Sequence, residues 1–339
     1  MATQSAKAWV LKVGDEVEVL SAEEILATLD ERGELDNLPF MPEMLKFCGR
    51  KLQVYKVAHK LCDTIERTGL RHMPDAVHLV SSRCDGAAHG GCQNACMLYW
   101  KTAWLRRPGS SDGSAVSSTH SVDASVLDRN TQREPFPDGA TRYSCQATEI
   151  LRAAPERLPL KDFRQYVWDV RSGNVTLFET ISAIFVGLFN RWQNLSRRKL
   201  PKWMWIKRGM NWGFLEGKAT GGTPVQTLDL KVGELVRIKS KAEIEASLDS
   251  QLRNRGMGFE AGLAQFCGQT ARVMGRVERC LDEPTGRMLT MKTPCIVLDG
   301  IVCPKVPNLN CPRAHLPFWR EIQLERVEET AAGPLLKEH

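Results

Sequence analysis

This 339-residue sequence contains no uninterrupted apolar run as long as the roughly 18 residues that a membrane-spanning helix needs. Its opening, MATQSAKAWVLKVGDEVEV, has acidic residues where a secretory signal peptide has an apolar stretch. It also lacks a phosphate-binding P-loop, a dinucleotide-binding glycine pattern, a nucleophile elbow and an H-E-x-x-H motif. These absences predict a cytoplasmic chain without a transmembrane segment, and they argue against the enzyme classes that those motifs define.

The sequence has little excess charge of either sign. Its 46 basic and 40 acidic residues leave a net charge of +6, which does not by itself require a nucleic acid or another polyanionic partner. Apolar residues make up 42% and charged residues 25% of the chain, a balance typical of globular domains. At roughly 150 residues per domain, this length predicts two or three domains.

The sequence matches itself when it is shifted along its own length. Lys12-Val13-Gly14 matches Lys231-Val232-Gly233, and 231 minus 12 gives an offset of 219 residues. The same offset holds without a gap from residue 12 to residue 105, and it aligns Phe47-Cys48-Gly49 with Phe266-Cys267-Gly268, Cys84 with Cys303, Cys92 with Cys311 and Trp100 with Trp319. An ungapped match of this length predicts two copies of one compact unit.

The local pattern is the same in both copies. Residues 13–20 and 232–238 alternate apolar and polar side chains after a turn glycine, which predicts a half-buried strand. Ser21 with Glu24, and Ser240 with Glu243, have the spacing of a capping box at the start of a helix. Further short strands predict an α+β fold: two copies of a small SH3-like β-barrel unit joined by a helical connector.

Several cysteine-containing motifs are shared with a known type of protein. They are Arg83-Cys84-Asp85-Gly86, His89-Gly90-Gly91-Cys92, Cys145-Gln146-Ala147-Thr148-Glu149, Cys311-Pro312-Arg313 and Trp319-Arg320-Glu321. With these motifs the sequence resembles a family of bacterial proteins that have duplicated barrel-like units and a C-x7-C-x3-C motif. The resemblance covers nearly the whole chain except the tip of the linker. It implies no activity, so the function has to be inferred from the residues themselves.

The eleven cysteines favour metal binding or catalysis, because disulfides are rare in cytoplasmic proteins. Cys84, Cys92 and Cys96 form a C-x7-C-x3-C motif around a glycine-rich loop. We predict that they bind a metal with Cys145 as the fourth ligand, although His89 could take that place. Four thiolates would suit zinc or an iron–sulfur cluster. If His89 is not a ligand, it is a candidate proton donor, and the alternative role of each cysteine is packing in the core.

The second copy has a weaker candidate site. Its corresponding motif ends in histidine, an exchange that retains a metal-binding donor. The predicted set is Cys295, Cys303, Cys311 and His315. Cys295 has no counterpart in the first copy, where Ala76 occupies its position, so it could equally be a small buried apolar residue.

The copies define the expected domain organisation. We predict a first barrel-like repeat at residues 1–106, a flexible linker at 107–142, a helical connector at 143–230, a second repeat at 231–327 and a tail at 328–339. Within the connector, residues 175–189 contain one acidic residue and predict a buried helix. Farther on, Arg197, Arg198 and Lys199 are interleaved with tryptophans, and they could bind anions such as nucleic acid or acidic lipid; a solvated helix end is favoured over both.

These patterns predict a cytoplasmic soft-metal-binding protein that acts as a structural or interaction module. The alternative is a metal-dependent enzyme of a specialised biosynthetic pathway, with an iron–sulfur cluster as one candidate for its metal centre. The partner would be a protein or a small-molecule substrate, and the sequence identifies neither.

Overall fold

The structure is a computed structural model that describes residues 10–109 and 125–328. The described chain mixes helices with several small antiparallel sheets, in agreement with the α+β prediction. It divides into two compact units. Unit 1 contains the described residues up to Leu177 together with Leu281–Leu289 and Cys311–Arg313, and unit 2 contains the remainder.

Unit 1 is built from short strands and short helices. Its strands are β1 (Glu16–Val19), β2 (Glu34–Leu35), β3 (Leu38–Pro39), β4 (Lys51–Val57), β5 (Lys60–Cys62), β6 (Leu70–His72), β7 (Ala76–Leu79), β8 (Trp100–Lys101), β9 (Leu105–Arg106), β10 (Gln132–Arg133), β11 (Arg142–Tyr143) and β12 (Arg157–Leu158). Its helices are α1 (Ala22–Leu26), α2 (Ser125–Arg129), α3 (Ile150–Ala153) and α4 (Arg164–Arg171), with 3-10 helices at Pro42–Phe47 and Thr102–Trp104.

The main sheet of unit 1 has the strand order β8-β7-β4-β1-β9, and its neighbouring strands are antiparallel. The alternation in β1 buries Val17 and Val19 fully, while Glu16 is exposed. Trp100 and Trp104 are also fully buried, and Phe40 packs edge-on against both rings. Burial of these large side chains stabilises the core around this sheet.

Unit 2 contains a second small sheet. Its helices are α5 (Leu177–Lys199) and α6 (Lys241–Ser247), with 3-10 helices at Lys202–Met204, Ile206–Gly209, Ala261–Phe266, Val306–Asn308 and Glu321–Gln323. Its strands are β13 (Leu235–Ile238), β14 (Arg253–Asn254), β15 (Met257–Gly258), β16 (Thr270–Leu281), β17 (Met288–Leu298) and β18 (Leu324–Arg326). The ends of three of these elements belong to unit 1: Leu177, Leu281 and Met288–Leu289. The sheet order is β17-β16-β13-β18, and Trp319 is fully buried beside it.

Corresponding elements of the two regions are separated by the offset seen in the sequence. Helix α1 begins at Ala22 and α6 at Lys241, and 241 minus 22 is 219. The 3-10 helices that begin at Pro42 and Ala261 have the same separation, since 261 minus 42 is also 219. Both predicted capping boxes are confirmed, because each N-cap serine accepts a hydrogen bond from the backbone amide of the glutamate three residues later.

The connector differs from its sequence-based description in two places. The predicted flexible linker includes α2 and the β10–β11 hairpin, and Leu127 of α2 is buried; residues 110–124 of that linker lie outside the described residues. Helix α5 was predicted to be buried, but it exposes Phe178 and Phe185 to 78% and 68%. The apolar surface of α5 is therefore wider than the part of the helix that packs in the core.

The described residues contain no helix that is both long enough and apolar enough to cross a bilayer. Helix α5 has 23 residues, but its last turn carries three basic side chains.

Candidate metal site

Three donor side chains of unit 1, Glu43, Cys84 and His89, lie close together. One ligand atom of each lies within 4.8 Å of the other two. Cys84 Sγ donates a hydrogen bond to Glu43 Oε1 at 3.1 Å and lies 3.6 Å from His89 Nε2. His89 Nδ1 lies 3.6 Å from the same Glu43 oxygen. Within the two described segments, this is the one group of three or more such donors at this distance.

Two atoms of this group are buried without a hydrogen-bond partner. Glu43 Oε2 and His89 Nδ1 accept or donate no hydrogen bond among the described residues, and each side chain is only 2% exposed. Leaving a buried polar atom unpaired costs about 1–3 kcal/mol. A cation bound among the three residues would give both atoms an electrostatic partner.

The backbone fixes the position of each donor. Glu43 lies in the first turn of the 3-10 helix Pro42–Phe47. Cys84 follows β7, and its amide donates to the Cys96 carbonyl at 2.8 Å. The 3-10 helix and the cysteine loop are joined directly, because Lys46 Nζ lies 2.6 Å from the Asp85 carboxylate. The helix and the loop therefore present their donors to the same point.

The electrostatics of the group disfavour free thiolate. Burial raises the pKa of Cys84, and the negative charge of Glu43 raises it further. Burial lowers the pKa of His89, opposed by Glu43 and Asp85. Histidine is therefore kept neutral, the form that binds a metal, whereas Cys84 must release its proton to the solvent when a metal binds.

The predicted four-cysteine set occupies the same region, but its sulfurs do not meet the 4.8 Å distance as a group within the described chain. Cys92 Sγ accepts a hydrogen bond from the Leu281 amide at 3.3 Å. Burial raises the pKa of Cys96, and it raises the pKa of Cys145 to about 12. Ligation by Cys92, Cys96 and Cys145 stays a prediction.

The members of the second predicted set are assigned to different units. Cys311 belongs to unit 1, whereas Cys295, Cys303 and His315 belong to unit 2. Cys295 Sγ accepts a hydrogen bond from Arg320 at 3.3 Å. Cys303 Sγ accepts one from Asn308 Nδ2 at 3.0 Å. These contacts give both thiols local partners, and ligation by this set stays a prediction.

The two matching sequence segments differ at the positions of the donor group, which the described residues show in the first segment alone. With the offset of 219, Glu43 corresponds to Gly262, Cys84 to Cys303 and His89 to Asn308. The second region thus keeps the cysteine but has glycine and an amide in place of the carboxylate and the imidazole. Its Cys303–Asn308 hydrogen bond occupies the position of the Cys84–His89 contact. Cysteine spacing gave no indication of Glu43, although these two exchanges between the matching segments do.

The basic cluster has a structural explanation. Arg197, Arg198 and Lys199 are exposed in the last turn of α5. Positive charge at this end of a helix is stabilised by the helix dipole. Trp205 Nε1 donates to the Leu200 carbonyl at 3.0 Å, which anchors the turn that follows. Anion binding by the cluster stays a prediction.

Gly86 gives a sharp test of the loop that carries Cys84 and His89. Its φ is +72°, and a Cβ there would lie 1.9 Å from the Cys92 carbonyl oxygen. Gly91 has a similar φ of +70°, but a Cβ there would meet nothing within 4 Å. Both alanine variants incur the left-handed strain of about 1–2 kcal/mol, so Gly86→Ala should destabilise the protein well beyond Gly91→Ala in urea unfolding. Equal losses would show that the loop backbone lies elsewhere.

His78 predicts a dependence of stability on pH. It is fully buried, and its Nδ1 lies 2.9 Å from the Leu98 carbonyl, which can only accept. Burial lowers the pKa of His78 to about 4, against that hydrogen bond. The unfolded chain takes up this proton near pH 6.5, so the folded state loses about 3 kcal/mol as the pH falls from about 6.5 to about 4.

We expect His78→Gln, which keeps an amide donor, to remove this part of the pH dependence in urea unfolding at pH 7 and pH 4.5. The exposed His72 is the control, and His72→Gln should leave the dependence intact. An unchanged pH profile in His78→Gln would contradict the assignment.

Comparisons with models of known protein families, with curated proteins and with solved structures gave no match. The site is therefore interpreted from its own geometry.

Proposed function

We propose that this protein binds one zinc ion through Glu43, Cys84 and His89, and that the ion stabilises a structural or interaction module. The observation that carries the proposal is the group of three donors with two buried, unpaired ligand atoms. Zinc accepts sulfur, nitrogen and oxygen ligands in one site, whereas calcium and magnesium require oxygen. A single thiolate at the centre also favours zinc over an iron–sulfur cluster, which requires several.

The location of the donors supports a structural role. A bound ion would link the 3-10 helix at Pro42–Phe47 to the loop after β7, which are 41 residues apart at Glu43 and Cys84. The 3-10 helix and the loop contain little regular secondary structure. Small folds of short strands gain stability when a metal ion links such segments. Cys96 and Cys145 are the candidates for a fourth ligand.

The arrangement of the strands supports a barrel as the host of this site. In unit 1 the order β8-β7-β4-β1-β9, with the 3-10 helix Thr102–Trp104 between β8 and β9, is compatible with an SH3-like barrel. The common offset of 219 residues supports a duplication of this arrangement. We propose that only the first copy binds a metal, since the second has Gly262 and Asn308 at the corresponding positions.

One observation favours catalysis as a competing function. The group has three protein donors, and catalytic zinc sites typically hold three protein ligands and keep one position open. Against this role, the side chains of Glu43 and His89 are almost completely buried. Exogenous ligands distinguish the two, because azide changes the spectrum of a cobalt-substituted open site but not that of a closed one.

The proposal is tested by metal analysis of the full-length protein after anaerobic purification and by cobalt substitution. We expect one zinc per chain and a cobalt spectrum with a sulfur-to-metal charge-transfer band. Cys84→Ser should remove that band and His89→Gln should lower the metal content. Cys303→Ser is the matched control, because it alters the corresponding cysteine of the second region. Metal-free wild type, or equal loss in all three variants, would refute the site; a brown protein with inorganic sulfide would identify a cluster instead.

A further inference from the structure

Two cysteines outside the metal site lie together in unit 1. Cys62 ends β5, and its backbone amide donates to Cys311 Sγ at 3.1 Å. The two thiols also share a hydrogen bond. Cys311 is buried and Cys62 is partly exposed. The pair thus combines a partly exposed cysteine with a buried cysteine from a distant part of the chain.

A buried arginine lies beside this pair. The Arg313 guanidinium donates to Thr64 Oγ1 at 2.9 Å and to the Cys62 carbonyl at 3.4 Å. The Glu283 carboxylate accepts from the same guanidinium at 2.9 Å and hydrogen-bonds to Thr64. Because Glu283 and Thr64 hold it on both sides, Arg313 keeps its positive charge next to Cys62.

These contacts favour the thiolate on Cys62 and the thiol on Cys311. The hydrogen bond from Cys311 and the charge of Arg313 lower the pKa of Cys62 to about 6, against the effects of burial and Glu283. The same hydrogen bond, together with burial, raises the pKa of Cys311. By contrast, burial raises the pKa of Cys92, Cys96 and Cys145.

We propose that Cys62 and Cys311 form a redox-active dithiol that reacts with low-molecular-weight disulfides such as oxidised glutathione. The Cys62 thiolate attacks one sulfur of the glutathione disulfide, forms a mixed disulfide and displaces one glutathione thiolate. Cys311 then loses its proton and attacks Cys62 Sγ, which releases the second glutathione. Two protein thiols are oxidised to one disulfide, and one glutathione disulfide is reduced to two glutathione thiols.

The full-length protein tests this proposal after equilibration with mixtures of reduced and oxidised glutathione, followed by alkylation and peptide mass spectrometry. We expect one disulfide that joins the peptides of Cys62 and Cys311. Cys311→Ser should instead accumulate glutathione on Cys62, because the second step is lost. Cys48→Ser, which alters a thiol at the end of the 3-10 helix Pro42–Phe47, should form the disulfide normally. Absence of the linked peptide at every ratio, or linkage of other cysteines, would overturn the proposal.

A second measurement keeps the proposal testable if a variant fails to fold. In the reduced wild type at pH 7, iodoacetamide should alkylate Cys62 about tenfold faster than Cys48, since the much larger thiolate fraction of a low-pKa thiol outweighs its lower nucleophilicity. Equal alkylation rates at the two residues would contradict the thiolate on Cys62.

A separate observation concerns the outer face of α5. Its exposed apolar side chains alternate at spacings of three and four residues, the heptad pattern of a coiled-coil seam: Phe178, Ile181, Phe185, Leu188, Trp192 and Leu195. Their exposed fractions run from 38% for Trp192 to 78% for Phe178. The opposite face is buried within unit 2 at Ala183 and Val186. The helix therefore has one face in its own core and a second apolar face in solvent.

We infer that a second copy of this chain covers the exposed face through an antiparallel helix pair. At about 200 Å² for a large side chain, the six exposed fractions amount to about 600 Å² on each copy, so a pair would bury about 1,200 Å² and reach the range of stable interfaces. An antiparallel pairing separates the two basic last turns at Arg197, Arg198 and Lys199, whereas a parallel pairing would bring them together.

Sedimentation of the full-length protein tests this interface. We expect a dimer at micromolar concentration that Phe185→Glu converts to a monomer with an unchanged circular dichroism spectrum. Asn194→Glu, on the exposed part of the same helix outside the seam, should remain dimeric. A wild type that is monomeric at all concentrations, or a dimer that Phe185→Glu leaves intact, would overturn the inference.

Discussion

Saturating zinc should raise the thermal unfolding midpoint of the full-length protein by about 10 °C relative to the chelated protein. A ligand at a thousand times its dissociation constant stabilises the folded state by about 4 kcal/mol, and each kcal/mol moves the midpoint of a domain this size by about 2–4 °C. The increase should shrink as the pH falls, because burial and Glu43 raise the pKa of Cys84 and zinc must displace its proton. Differential scanning calorimetry with and without a chelator measures the effect.

Variants separate this effect from zinc bound elsewhere. Cys84→Ser and His89→Gln should each lose most of the zinc-dependent increase, whereas Cys303→Ser should keep it. An equal increase in Cys84→Ser and the wild type would locate the stabilising ion at other residues. Loss in Cys92→Ser as well would bring the C-x7-C-x3-C motif into the ligand set.

Asp169→Ala should destabilise unit 1 by about 3–5 kcal/mol, because it leaves a buried charge without its partner. Lys60 Nζ lies 2.5 Å from Asp169 Oδ2, and both side chains are fully buried. His59 Nε2 approaches the other carboxylate oxygen at 3.2 Å without hydrogen-bond geometry. The pair joins β5 to α4, so its loss should weaken the attachment of that helix.

Two comparisons make the prediction specific. In urea unfolding, the double variant Lys60→Met with Asp169→Leu should recover most of the loss, since no buried charge remains. Arg164→Ala removes the exposed guanidinium that pairs with Asp162, keeps the backbone hydrogen bond that Asp162 accepts, and should leave the midpoint nearly unchanged. Burial lowers the pKa of Lys60, opposed by Asp169, so the deficit of Asp169→Ala should diminish as the pH rises toward the value of a free lysine. A deficit that does not change with pH would indicate lost packing instead of lost charge pairing.

Local sequence patterns predicted most of the elements that depend on local interactions. The strands near Val17 and Val236 and the capping boxes at Ser21 and Ser240 occur where the sequence places them. These features depend on alternation over a few residues or on a hydrogen bond between residues three apart. Helix α5 was correctly predicted as a helix but not as exposed, because an apolar face does not reveal what covers it.

The sequence did not predict which distant side chains lie next to one another in the fold. Cysteine spacing indicated Cys84 as a ligand and left His89 as an alternative to Cys145. It gave no indication of Glu43. The Glu43 carboxylate contacts Cys84, which lies 41 residues later in the chain. Glu43 lies on the 3-10 helix Pro42–Phe47, which contains no cysteine or histidine that would have indicated a metal site. Cys62 and Cys311 are 249 residues apart, and they are not related by the offset of 219 residues.

The amino-acid order alone determined the internal match, the capped helices, the alternating strands and the abundance of thiols, because each is a property of neighbouring or regularly spaced residues. Tertiary structure decided which thiols have a carboxylate, an imidazole, an arginine or another thiol beside them. Those neighbours come from segments brought together by chain packing, and distance in space, not spacing in sequence, sets ligand geometry, burial and pKa.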